Sequence, residues 1–117
     1  MSTLKIHSFR KDNNTLFDRN ELQKLIGISN RGIWRKWLIS CGYDPDNHNL
    51  RYSWQDVIIL LALKIFLGGK KGRHRHTYIE FYDLRSEDNL SDELLSQSKQ
   101  LMEQLKNDYY QNQQLSA

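Results

Sequence analysis

Three groups of side chains in this 117-residue chain have the types and spacing to grip a polyanion. The first is Ser29-Asn30-Arg31 with Trp34-Arg35-Lys36, cations and hydrogen-bonding groups at near-helical intervals after Gly27-Ile28. The second is His48 with Arg51 and Tyr52, flanking a run of turn formers. The third is Lys70, Lys71, Arg73 and Arg75, four cations within six residues of a Gly-rich stretch. Arginine offers a planar fork that fits a phosphate or a guanine edge, while lysine acts as a mobile point charge. Ser29 and Asn30, at a helix start, sit beside backbone N–H groups that favour an anion. No comparable arrangement supports catalysis: there is no Gly-rich phosphate loop ending in Lys-Ser/Thr, no nucleophile elbow and no His-Glu-x-x-His. Glu80 and Asp83 stand three apart, but capping accounts for Glu80. His74 and His76 have no neighbouring Cys or carboxylate to complete a metal site, and the single Cys41 cannot form an internal disulfide. The expectation is a binding protein rather than an enzyme, with no cofactor and no metal.

These groups must be positioned by helices. Asp18 with Glu21 three residues on resembles a capping box, and Leu22, Leu25 and Ile26 share one helical face that Gly27 should end. A second helix follows, capped by Ser29 or Asn30, with Ile33, Trp37 and Leu38 as its apolar positions and Trp34 beside them. Two short helices joined by Gly27-Ile28-Ser29 form a helix-turn-helix candidate. Residues 42–49 are dense in turn formers and lead into the extended Leu50-Arg51-Tyr52, which reads as a wing. Ser53 and Asp56 open a third helix whose interior, 57–67, is apolar nearly all round and must be the central pillar. Thr77 and Glu80 supply another capping box, with a strand as the alternative because aromatic and β-branched residues crowd 78–82. A last helix runs from about Ser91 to Gln111. Its stripe of Leu94, Leu95, Leu101, Met102, Leu105 and Tyr109 suits a seam with a second copy, packing back on its own domain being the other possibility.

Charge divides along the same lines. Residues 1–85 hold fifteen Lys/Arg against eight Asp/Glu, whereas residues 86–117 hold two against six. A basic body with an acidic tail fits a polyanion-binding domain carrying a separate association element. The expected organisation is a basic arm at 1–15, a DNA-binding body at 16–85 and a dimerisation helix at 86–117. The longest apolar run, 57–67, spans eleven residues and includes Lys64, against about twenty for a bilayer span, and no charged-then-apolar leader opens the chain. The expectation is a soluble, cytoplasmic, nucleoid-associated protein with no membrane partner.

Residues 16–33, with Phe17, Glu21-Leu22, Gly27-Ile28-Ser29, Arg31 and Ile33, resemble the opening of a MerR-type winged helix-turn-helix. Tyr52-Ser53-Trp54-Gln55-Asp56-Val57 matches that family's Tyr-Ser followed by an acidic, apolar helix, so the likeness covers 16–67. It implies a mainly α fold, a homodimer on double-stranded DNA, and a second wing at the loop carrying Lys70, Lys71, Arg73 and Arg75. The run Trp34-Arg35-Lys36 departs from the family's Arg-Tyr-Tyr, and Leu50-Arg51-Tyr52 departs from its wing, so base preference does not carry over. No effector module is visible, which makes repression at an inverted-repeat promoter site the simplest expectation. An excisionase-like or transposon-associated architectural factor is the nearest alternative. A protein–protein adaptor using 78–82 and the acidic tail is the alternative from another class.

Overall fold

The computed structural model describes residues 15–68 and 75–116. Five helices follow in chain order: α1 (Arg19–Ile26), α2 (Arg31–Ser40), α3 (Trp54–Gly68), α4 (Arg75–Ser86) and α5 (Asp92–Ser116). Local chemistry sets their ends. Asp18 and Glu21 form a full capping box at α1, with Asp18 Oδ1 accepting from the Glu21 N–H at 2.8 Å and Glu21 Oε1 accepting from the Asp18 N–H at 2.9 Å. Gly27 stops α1 at φ 90°, a left-handed conformation that a side chain would oppose. Asn30 caps α2 by accepting from the Ile33 N–H at 2.9 Å. Ser91 does the same for α5, accepting from the Leu94 N–H at 3.1 Å.

α3 is the pillar, with Val57, Leu60, Ala62 and Leu63 fully sealed and the other helices arranged around it. α5 lies along it. Met102 is 4% exposed and Ser98 is fully buried, its hydroxyl donating to the Ile58 carbonyl of α3. Leu94, Leu95, Leu105 and Tyr109 pack against the same core, leaving Leu101 of the expected seam exposed. The apolar stripe of α5 is therefore covered by the chain's own α3, which corrects the expectation that it is kept for a second copy. The physical reason lies in α3: a helix apolar on every side must be covered, and α5 is the long amphipathic element that can cover it.

An aromatic cluster locks the far end of this pairing. Phe17 meets Trp54 edge-on at 5.0 Å and Tyr109 at 5.5 Å, and Trp54 Nε1 donates to the Tyr110 hydroxyl at 3.3 Å.

Two expected elements take other forms. The segment 44–50 is a succession of turns, with Asp44 Oδ1 accepting from the Asp46 N–H at 2.9 Å and Asn47 Oδ1 from the Asn49 N–H at 3.0 Å. Tyr52 pairs instead with Phe17, in an isolated antiparallel bridge whose two N–H···O bonds are 2.8 and 2.9 Å. The described residues contain no wing hairpin. Thr77 also fails as a cap: α4 begins at Arg75, and Thr77 is buried inside its first turn with its hydroxyl unpaired. Residues 78–82 are helical rather than a strand.

Candidate nucleic-acid interface

α1, the turn Gly27-Ile28-Ser29 and α2 bring Arg19, Lys24, Arg31 and Arg35 to neighbouring hollows. Asn20, Gln23 and Arg31 line two adjoining hollows, one of about 270 Å³ completed by Arg19, Trp34, Arg35, Leu38 and Pro45. The other, of about 590 Å³, is completed by Lys24, Gly27, Ile28 and Ser29. Arg31 thus stands at the join, with Arg19 and Arg35 to one side and Lys24 to the other. Ser29, Asn30, Arg31, Arg35 and Lys36 are all exposed. Gln23 steadies the turn by donating to the Ile28 carbonyl at 2.8 Å, so the start of α2 is held at a fixed angle to α1.

Arg35 does not hang free. Its Nη1 reaches Asp46 Oδ1 at 2.7 Å and its Nη2 reaches Oδ2 at 3.1 Å, a bidentate pair from α2 to the turn segment. The hydrogen bond to Asp46 raises the Arg35 guanidinium above its ordinary range and holds the Asp46 carboxyl below the usual carboxylate range. Arg19 grips the same segment through the Pro45 carbonyl. Two arginines of the basic surface are thereby tied to one short loop that itself carries Asp44 and Asp46.

Other expected contacts fall differently. Trp34 is 3% exposed and belongs to the core with Trp37 and Leu38, so it is corrected from a groove contact to a packing residue. Its indole N–H has no partner among the described residues. Tyr52 is corrected in the same way: it is 2% exposed, stacks edge-on with Tyr43 at 5.4 Å, and its buried hydroxyl reaches no surface. Burial raises its phenol above the ordinary range. His48 and Arg51 are exposed, but Arg51 Nη1 donates locally to the carbonyls of His48 at 3.1 Å and Leu50 at 3.0 Å. Arg75 is exposed at the start of α4; Lys70, Lys71, Arg73 and His74 lie outside the described residues.

Arg19 and Lys24 were not singled out by sequence, although their place on the polar side of an amphipathic α1 signals exposure beside α2. Nothing local predicts the Arg35–Asp46 contact, which joins residues eleven apart across a helix end and a turn.

Compared with known proteins, the chain matches no family model, no curated protein and no solved structure.

Proposed function

We propose that the chain is a double-stranded-DNA-binding regulator that presents α2 to the major groove. The observation that carries this reading is the gathering of Arg19, Lys24, Arg31 and Arg35 around two adjoining hollows of a two-helix unit joined by Gly27-Ile28-Ser29. A helix fits the major groove, and its first two turns reach base edges while flanking cations bond phosphate. Arg31, in the first turn, is the base-reading candidate, and a bidentate grip on guanine discriminates by about 1–3 kcal/mol. Lys36, Arg19 and Lys24 serve phosphates on either side, and the exposed start of α2 at Ser29 and Asn30 offers backbone N–H groups to one more. The MerR-type likeness of 16–67 supports the same reading, with repression by promoter occupancy as the simplest mode of action. An inverted-repeat site calls for a two-fold dimer. With the α5 stripe covered by α3, such a dimer would use the outer side of α5 around Leu101 or a different surface.

Selection of bound duplexes from a random pool, followed by fluorescence anisotropy on the winners, tests this. The reading expects an enriched motif bound tightly and with strong salt sensitivity. Recovery of an unenriched pool with no salt-sensitive complex would overturn it.

A further inference from the structure

A second surface, between α2 and α4, is built differently. Ile39 on α2 and Ile79 and Tyr82 on α4 are 47%, 51% and 44% exposed, large apolar groups left at the surface. Together with Tyr78 they line a groove of about 720 Å³, inside the range of roughly 300–1,000 Å³ that small-molecule sites occupy. The groove walls are fixed, because Ser40 Oγ on α2 donates to the Tyr78 carbonyl on α4 at 2.8 Å. Each wall also contributes one cation, Lys36 from α2 and Arg75 from α4, and no acidic residue among those described lines the groove. Neither cation has an ion-pair partner among the described residues. An apolar floor with two uncompensated positive charges is complementary to a molecule with one greasy part and one negative group.

We infer that this groove seats a small amphipathic organic anion, an alkyl or aryl monocarboxylate. Its apolar part covers Ile39, Ile79 and Tyr82, and its carboxylate is held by Lys36 and Arg75. A ligand here would lie directly on α2. A bound carboxylate competes with DNA phosphate for Lys36, so occupancy weakens DNA binding. That last clause rests on the DNA reading. The seat itself does not, and it is tested with no DNA present, so the two fail separately.

The test is an amide chemical-shift titration of the full chain with octanoate, 1-octanol and octylammonium, three probes sharing one tail. Octanoate is expected to saturate, with shifts centred on Ile39, Ile79 and Tyr82. Octanol should bind at least ten times more weakly, and octylammonium not detectably. The double variant Lys36→Glu/Arg75→Glu should lose at least tenfold in octanoate affinity, as should Ile79→Asp; Lys36→Glu alone serves if the double variant fails to fold. Equal binding of the three probes would overturn the inference, as would unchanged octanoate binding in the charge-reversed variant or the absence of saturable binding. Light scattering that shows a dimer dispersed by Ile79→Asp would overturn it too, by assigning the face to a second copy.

Discussion

Arg35 and Asp46 face each other in a bidentate ion pair, 2.7 and 3.1 Å long, with both side chains open to solvent. An exposed pair of this kind contributes little to stability. What it controls is the availability of the guanidinium, since a carboxylate occupies the fork that a phosphate or a guanine would take. Asp46→Asn should therefore tighten DNA binding about three- to tenfold at low salt, with the gain fading as salt screens the removed charge. Anisotropy titrations of both proteins at two salt concentrations check this; an unchanged or weakened affinity contradicts it. The pH dependence has a definite sign. Because the Asp46 carboxyl is depressed in the folded state, the pair is intact above the usual carboxylate range and is lost as pH falls through the lowered value. A carbon-detected titration of Asp46 should show a midpoint below that of an unpaired aspartate, and Arg35→Ala should move it back toward the ordinary range.

Met102 reports whether the long helix belongs to its own domain. It is buried against α3, so Met102→Ala should lower the unfolding free energy by about 2–4 kcal/mol. The loss should be the same at low and high protein concentration, as read by chemical denaturation. A loss that is larger at high protein concentration and shrinks on dilution would place Met102 in an intermolecular seam.

Cys41 is sealed in the core, and burial pushes its thiol well above the ordinary range. A thiol reagent at pH 8 should leave it unmodified in the native chain and label it fully in denaturant. Rapid native labelling would mean that the contacts around Cys41 open readily.

Gly27→Ala isolates a backbone effect. A methyl at this position would meet no atom within 4 Å, so space is not the issue, but φ is 90°. The substitution should destabilise by about 1–2 kcal/mol through strain alone, measured by thermal or denaturant unfolding. A neutral result would show that the turn relaxes without disturbing α2.

Much of this architecture was legible in the sequence because it is local. Asp18, Glu21, Gly27, Asn30 and Ser91 each act within a few residues, and each marks its helix end as its type and spacing require. The apolar run of α3 likewise announces burial on all sides. Misreadings occur where partners lie far apart in the chain. Tyr52 looked like a wing residue until Phe17 claimed it as a bridge partner, and Thr77 looked like a cap although α4 starts two residues earlier. The α5 stripe offered two partners, and only the assembled fold shows α3 filling that place. For the candidate interface, the exposed positions Arg31, Arg35 and Lys36 were readable from helical spacing. The burial of Trp34 was readable too, since a large aromatic at helical spacing usually packs in the core, although the same residue type beside cations also admitted a groove contact.

The central claim is that the cations at the start of α2 hold DNA. Its most direct test is the salt dependence of duplex binding in the wild-type chain and in Arg31→Ala/Arg35→Ala, both positions being exposed. If about six phosphates are neutralised, log affinity should fall against log salt with a slope near −5. The double variant should bind at least tenfold more weakly, with a slope shallower by about 1 from the lost Arg35 phosphate contact. A wild-type affinity indifferent to salt, or a double variant with unchanged affinity and slope, would contradict the account.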